Sequence, residues 1–434
     1  MKLAINGGEK LRTAPFPAYN TIGVEEEEAA LRVLRSGKLS TYLGTWHADF
    51  YGGPEVRALE AEWCEYFGVK HAISVNSATS GLYAAVGACG ISPGDEIIVS
   101  AYTMSASATA ALVYGAIPIF ADIEEEYYCL DPRSIESKIT PRTRAIIIVD
   151  IFGQPYDRDA VNAIAKKHNL YVIEDAAQAP GAMLGDKYAG TLGDIGVYSL
   201  NYHKHIHTGE GGIIVTDDDT LAEKLRLIRN HAEAVLSAKG ITDKNDLINM
   251  VGFNYRMTEI EAAIAREQLK KLPALLEERL ENTAYLNEKL SQIPCIKPTK
   301  IREGTKHAFY VHPLQFDAER AGMHRNSFID AVKAELPPTL LREESTVLLS
   351  YGYVKPLYLQ PLYQERIAFG KDGYPFNLSN VTYPKGLCPI TEEMHFNRLV
   401  THEFMRPGMT KNDMDDVVKA FEKVWENRSE LLCD

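Results

Sequence analysis

The sequence predicts an α/β fold: a mainly parallel sheet sandwiched by helices, followed by a smaller C-terminal α+β domain. Three observations predict it. Between about residues 55 and 220, helical patterns alternate with short apolar runs, as in strands joined by helical crossovers. One such run, Tyr171-Val172-Ile173, ends in Glu174-Asp175, as a buried strand carrying carboxylates at its C-terminal end. A long charged helical pattern from Thr258 to about Leu290 then gives way to less regular spacing, richer in proline and tyrosine. A boundary near residue 275 separates a large domain with an N-terminal arm (1–275) from a small domain (276–434). A chain of 434 residues exceeds what one small core organises.

The elements follow in order. Val56 to Phe67 reads as a helix, and Ala72 to Val75 as a strand. Gly81 to Cys89 is a second helix, stopped before the turn Ser92-Pro93-Gly94-Asp95. Glu96 to Val99, Ile117 to Phe120, Ala145 to Val149, Tyr171 to Ile173 and Ile213 to Val215 are short apolar runs, the pattern of strands buried on both faces. Asp159 to His168 is a helix between two of them. Thr258 and Glu261 have capping-box spacing at the start of the long helix. Pro273 is expected to kink or divide it. Lys411 to Trp425 is again helical.

Composition excludes several classes. With 46 Lys and Arg against 59 Asp and Glu, the net charge is −13, which disfavours nucleic acid or an anionic membrane as the main partner. The six cysteines (Cys64, Cys89, Cys129, Cys295, Cys388, Cys433) include no CxxC pair, which suits a reducing cytoplasm better than a disulfide scaffold or zinc ribbon. No signal-peptide stretch opens the chain, and no run of about 18 apolar residues offers a membrane span.

The chemistry centres on Lys204, in Ser199-Leu200-Asn201-Tyr202-His203-Lys204-His205-Ile206-His207-Thr208-Gly209-Glu210-Gly211-Gly212. Rings and small residues flank it, so partial burial is expected. Desolvation favours the neutral amine, a usable nucleophile toward an aldehyde. With Asp175 at a strand end, this suggests a pyridoxal phosphate site. Lys204 would form the Schiff base, and Asp175 would pair with the pyridinium nitrogen. In parallel sheets ligands bind beyond the carboxyl ends of the strands. Asn76-Ser77-Ala78-Thr79-Ser80-Gly81 follows the first strand and opens a helix, a cradle for a phosphate. Taken alone, it is as well explained by an ordinary hydroxyl-rich cap. Gln178 lies one turn past Asp175, placed to bond the ring's phenolic oxygen if that segment is helical. Gly209-Glu210-Gly211-Gly212 lacks dinucleotide-loop spacing and precedes a strand; it reads as a tight turn. His203, His205 and His207 would share one face of an extended segment. That keeps open a metal-binding hydrolase as the rival class. Asn254 and Arg256, ahead of the long helix, could contact a phosphate and a carboxylate.

These residues carry a resemblance. The chain is similar to the pyridoxal-phosphate sugar aminotransferases of the DegT/StrS type, within the fold-type I superfamily, from about Gly7 to Glu426. The lysine segment fits the family form S-x-H-x-x-K-x-x-x-x-G-E-G-G at Ser199, Lys204 and Gly209 to Gly212. Asn-Ser-Ala-Thr-Ser-Gly-Leu, Glu-Asp-Ala-Ala-Gln-Ala and Gly-Phe-Asn-Tyr-Arg-Met-Thr-Glu-Ile-Glu-Ala-Ala-Ile match in order. The resemblance implies that Lys204 and Asp175 hold the roles above, that Gln178 sits near the phenolic oxygen, and that Ser199 with the backbone of Ala78 and Thr79 takes the phosphate. It implies that Asn254 reaches the phosphate of a neighbouring subunit's cofactor, hence a homodimer with shared sites. It implies a glutamate or glutamine donor and a keto-sugar or ketocyclitol acceptor, in a cytoplasmic enzyme of amino-sugar biosynthesis.

Departures fall around the substrate. Asn201 replaces the motif histidine. Met104 stands where many members stack an aromatic ring on the cofactor, which leaves Tyr102 as an alternative. Tyr358 replaces a histidine, and the loop from Ser40 to Gly53, with Trp46 and His47, is long. One related branch has histidine for the lysine and dehydrates sugars; Lys204 favours transamination over that sugar dehydratase chemistry. A non-catalytic regulator keeping the cofactor fold is a further alternative.

Overall fold

The computed structural model describes residues 2–339 and 346–432; Cys433 lies outside them. A seven-stranded sheet is built from β1 (His71–Val75), β2 (Glu96–Ser100), β3 (Ile117–Ala121), β4 (Thr143–Val149), β5 (Tyr171–Asp175), β6 (Ile195–Ser199) and β7 (Gly212–Thr216). Their order is β1-β7-β6-β5-β4-β2-β3. Only β7 runs against the others. The apolar runs become strands because both faces are covered. Ile97, Val99, Ile147, Ile173, Val197 and Ile214 pack on one side under helices α3 (Ala78–Ala88), α4 (Ser105–Val113) and α7 (Asp219–Arg229). Their alternates Ile98, Ile146, Ile148 and Val172 pack on the other side, under α5 (Pro132–Lys138) and α6 (Arg158–His168). Helix α2 (Pro54–Phe67) and part of α8 (Glu259–Leu290) cover the β1, β6 and β7 end of that face.

Strand β6 was not anticipated. Gly196 and Tyr198 interrupt its apolar pattern, and the backbone of Gly190 lies so close that a Cβ on Gly196 would meet Gly190 O at 1.8 Å. Helix α8 begins with the expected capping box: Glu261 N donates to Thr258 Oγ1 at 3.3 Å and Thr258 N to Glu261 Oε2 at 2.8 Å. Contrary to the division expected at Pro273, α8 runs through it as one helix of 32 residues. Leu272 and Leu276 flank the proline and are buried. Their burial, at about 1.5–3 kcal/mol each, together offsets the cost of about 3 kcal/mol that an interior proline carries through its missing hydrogen bond and ring clash.

A second, antiparallel sheet has the order β8-β9-β11-β10, from β8 (Ile296–Pro298), β9 (His312–Phe316), β10 (Leu349–Tyr351) and β11 (Leu399–His402). Its core joins the C-terminal end of α8 (Leu286, Leu290) to α9 (Arg325–Glu335) and α10 (Lys411–Glu426). Leu3 and Phe16 from the N-terminal arm are part of this core, and the residue 275 boundary falls inside α8. No helix among the described residues is long and apolar enough to cross a membrane.

Candidate active site

The sheet gathers its functional side chains at one edge. Strands β1, β4, β5 and β6 end there, and antiparallel β7 begins there, with Gly212 paired to both Val75 and Ser199. Between these ends lies a cavity of about 410 Å³. Ala78, Thr79, Met104, Asp175, Gln178, Ser199 and Lys204 all line it. Seven of the eight predicted site residues thus converge; Asn254 does not line this cavity.

Lys204 stands on the turn between β6 and β7. Leu200 N donates to Gly211 O and Tyr202 N to Gly209 O, both at 2.9 Å, so the Gly209–Gly212 segment folds back as a tight turn. The lysine is half-buried. Its ammonium sits 4.2 Å from the centroid of the Tyr310 ring.

Asp175 is buried at the end of β5. Its Oδ2 accepts from Ser107 Oγ at 2.7 Å, and its Oδ1 from Ala177 N at 3.2 Å. Burial pushes its carboxyl above the usual aspartate range, while these two bonds and the Lys204 charge pull it back down. The carboxylate is thus oriented from behind, and it favours a cationic or protonated partner in the cavity. Sequence reasoning missed Ser107. The available signal was a hydroxyl inside a helix of alanines, which needs a partner once buried.

The start of α3 supplies an anion cradle. Ser77 caps the helix by accepting from Ser80 N at 3.1 Å. The first N–H groups of a helix have no intrahelical acceptor, so those of Ala78 and Thr79 are free to serve an anion, aided by the helix dipole. Glycine is needed opposite: a Cβ on Gly212 would meet Ala78 N at 2.6 Å. Ser199 closes the cradle from β6, and its Oγ accepts from Asn201 N at 3.3 Å.

Gln178 lies in a turn, where Ala179 N donates to Ala176 O, and still faces the cavity without the helical turn on which that reading depends. Its amide is fixed at both ends. Oε1 accepts from Phe152 N at 2.7 Å, and Nε2 donates to the Tyr353 hydroxyl at 3.0 Å. Tyr310 and Tyr353 also line the cavity. They approach from the second sheet's side, with no local motif to announce them. Met104 lines the cavity as an exposed side chain. Tyr102, the alternative ring, does not; it is buried, and its hydroxyl accepts from Tyr353 N at 2.8 Å. Asn201, in place of the motif histidine, donates to Glu210 Oε1 at 3.1 Å on the cavity wall.

Other expected residues lie elsewhere. Tyr358 is buried in the core beside Phe120 and bonds Glu392, away from the substrate side. Trp46 packs edge-on against Phe50 and Tyr51, beneath Lys239. Asn254 is exposed and accepts from Arg256 Nε at 2.8 Å. The three histidines do not share a site. His205 is buried and its Nε2 meets Ala308 O at 2.9 Å, His207 Nδ1 accepts from Gly209 N, and only His203, tilted against Tyr202, is on the cavity wall. Among the described residues, no group of three or more His, Cys, Asp or Glu side chains is gathered as metal ligands would be.

Comparison with known proteins agrees with this geometry. Residues 22–422 match the DegT/DnrJ/EryC1/StrS aminotransferase family. The chain is 30% identical over 435 residues to the L-glutamine:2-deoxy-scyllo-inosose aminotransferase of Micromonospora echinospora, covering 99% of each chain. It is 40% identical over 273 residues to the GDP-perosamine synthase of Caulobacter vibrioides, covering 62% of this chain and 71% of that one. Among solved structures, the aminotransferase from Psychrobacter cryohalolentis superposes with a TM-score of 0.80 at 27% identity, covering 95% of this chain and 99% of that one. None of these relatives supports the metal-hydrolase alternative. The matched segment spans the whole cavity wall from α3 to Tyr353, and the chain is an aminotransferase belonging to the DegT/DnrJ/EryC1/StrS family.

Proposed function

We propose that this aminotransferase uses pyridoxal phosphate to move an amino group from glutamate or glutamine to a keto sugar, nucleotide-linked or free, or to a ketocyclitol. The observation that carries this is the meeting of Lys204, Asp175 and the α3 N-terminus on one cavity. The cofactor has an aldehyde, a ring nitrogen and a phosphate. The cavity offers an amine, a buried carboxylate and an anion cradle that a Cβ at residue 212 would fill. The donor and acceptor classes rest on relatives named for L-glutamine with an inosose and for GDP-perosamine.

When bound, pyridoxal phosphate supplies an aldehyde for a covalent bond to an amine and a ring that accepts an electron pair. Lys204 Nζ would hold it at rest. Once free, the same nitrogen would carry the proton from the donor's α-carbon to the cofactor's C4′ carbon, and in the second half-reaction from C4′ to the acceptor's carbon. Asp175, oriented by Ser107 and Ala177, would pair with the ring nitrogen and hold a proton there. The N–H groups of Ala78 and Thr79, with Ser199, would bind the phosphate. Gln178 is positioned for the ring's phenolic oxygen by Phe152 and Tyr353.

The working unit is a homodimer. Asn254 lies outside its own chain's cavity, beside Val251, whose side chain is 67% exposed, and a second copy would give both an occupant. The two-domain division, 1–275 and 276–434, is retained with α8 as the shared element. A cytoplasmic location suits the free cysteines at positions 64, 89, 129, 295 and 388. Incubating the purified protein with pyridoxal phosphate, glutamate or glutamine, and a panel of keto sugars and ketocyclitols tests the reaction. Mass detection of an aminated product is expected; transfer to none of them would reject the substrate class.

A further inference from the structure

We infer that Tyr310 is a positioning residue that seats the Lys204 ammonium on its ring face whenever that amine is not covalently engaged. This deepens the proposed aminotransferase mechanism and rests on it. The ring centroid lies 4.2 Å from Lys204 Nζ, within the range of a cation–π contact. Among the described residues, Lys204 makes no ion pair; the Asp175 carboxylate on the same cavity feels its charge only from beyond that range. A carboxylate would lock the amine in its charged form. An aromatic face holds the cation more weakly, so the amine is seated without being locked, and removing the face frees it.

The fold holds Tyr310 in place for this. Its N–H donates to Phe152 O at 2.7 Å, and Ala308 N donates to Gly153 O at 2.9 Å. Arg279, buried on α8, donates from Nη1 to Phe309 O at 3.0 Å and to Tyr310 O at 3.3 Å. Both segments carry left-handed backbone on bulky residues: Phe309 has φ 46° and Phe152 has φ 60°. Such conformations persist only where the surroundings enforce them, and they cluster at functional sites. Phe152 also fixes Gln178, so one strained contact sets both the ring under Lys204 and the amide facing the ligand.

The test uses acylation of Lys204 in cofactor-free protein, followed by peptide mass analysis, for the parent, Tyr310→Phe and Tyr310→Leu. The rate at neutral pH is divided by the plateau rate at high pH, which removes differences in access. Phenylalanine keeps the ring face, so its ratio should match the parent. Leucine removes the face, and its ratio should rise several-fold, the size of a partly desolvated cation–π contact. An unchanged or lower ratio in Tyr310→Leu, or a rise shared by Tyr310→Phe, would overturn the inference. Because no cofactor is present, this outcome is independent of the pyridoxal phosphate reading.

Discussion

Ser107 Oγ donates to Asp175 Oδ2 at 2.7 Å, across the interface between α4 and the end of β5. Asp175 is buried, so each donor to its carboxylate matters. A hydrogen bond to a charged group contributes about 1.5–3 kcal/mol. Ser107→Ala is expected to lower kcat roughly tenfold or more, with the fold intact. Steady-state kinetics beside a circular dichroism melt check this; unchanged kcat would remove Ser107 from the catalytic account.

Gly212 stands against the α3 N-terminus with no room for a side chain: an added Cβ would lie 2.6 Å from Ala78 N and 2.7 Å from Ser77 C. Gly212→Ala is expected to displace the cradle and weaken pyridoxal phosphate binding by at least about tenfold, or 1.4 kcal/mol. Cofactor titration of the apo variant measures it. Parent-like affinity would show that the phosphate sits elsewhere.

Asn254 is assigned to the partner copy's cofactor, so Lys204→Ala and Asn254→Ala should complement. A mixed dimer of the two has one site with both Lys204 and Asn254 intact. Unfolding and refolding the mixture should recover activity that neither variant has alone. No recovery would mean that Asn254 does not act across the dimer.

Acid should destabilise the protein through its buried histidines. Burial holds His307 and His312 down to about 3, against an ordinary value of about 6.5. Below about pH 6.5 the unfolded chain binds protons that the folded chain refuses. Stability therefore falls as pH falls, by about 2 kcal/mol per such histidine at pH 5. The raised carboxyls of Asp150 and Glu174 act in the opposite sense, so the comparison must be with a variant. In His307→Asn the amide oxygen can still accept from Phe309 N, as His307 Nδ1 does at 2.8 Å. Its urea-unfolding free energy should gain about 2 kcal/mol on the parent's between pH 7.5 and pH 5. Parallel curves would contradict the assignment.

The sheet was legible because its strands are continuous apolar runs, and Ile146 to Val149 could hardly be anything else. The lysine turn, the Asp175 strand end and the α3 cap were legible because each is a short local motif. Strand β6 was hidden by Gly196, which is there for close backbone approach. Division at Pro273 did not occur because the burial of Leu272 and Leu276 on either side holds the helix together. Ser107, Tyr310 and Tyr353 were missed for a common reason: each reaches the cavity through tertiary packing, with no spacing that encodes it. Tyr358 misled in the opposite way, since its sequence neighbours suggested the substrate side where the structure uses it for core packing, whereas of the three histidines His205 and His207 serve structural bonds and His203 packs on the cavity wall.

The central claim is a single covalent attachment point at Lys204. Protein loaded with pyridoxal phosphate, reduced with borohydride and digested should yield one modified peptide, carrying the cofactor mass on Lys204, and Lys204→Ala should yield none. Modification at another lysine, or an unreduced and colourless protein despite excess cofactor, would contradict it.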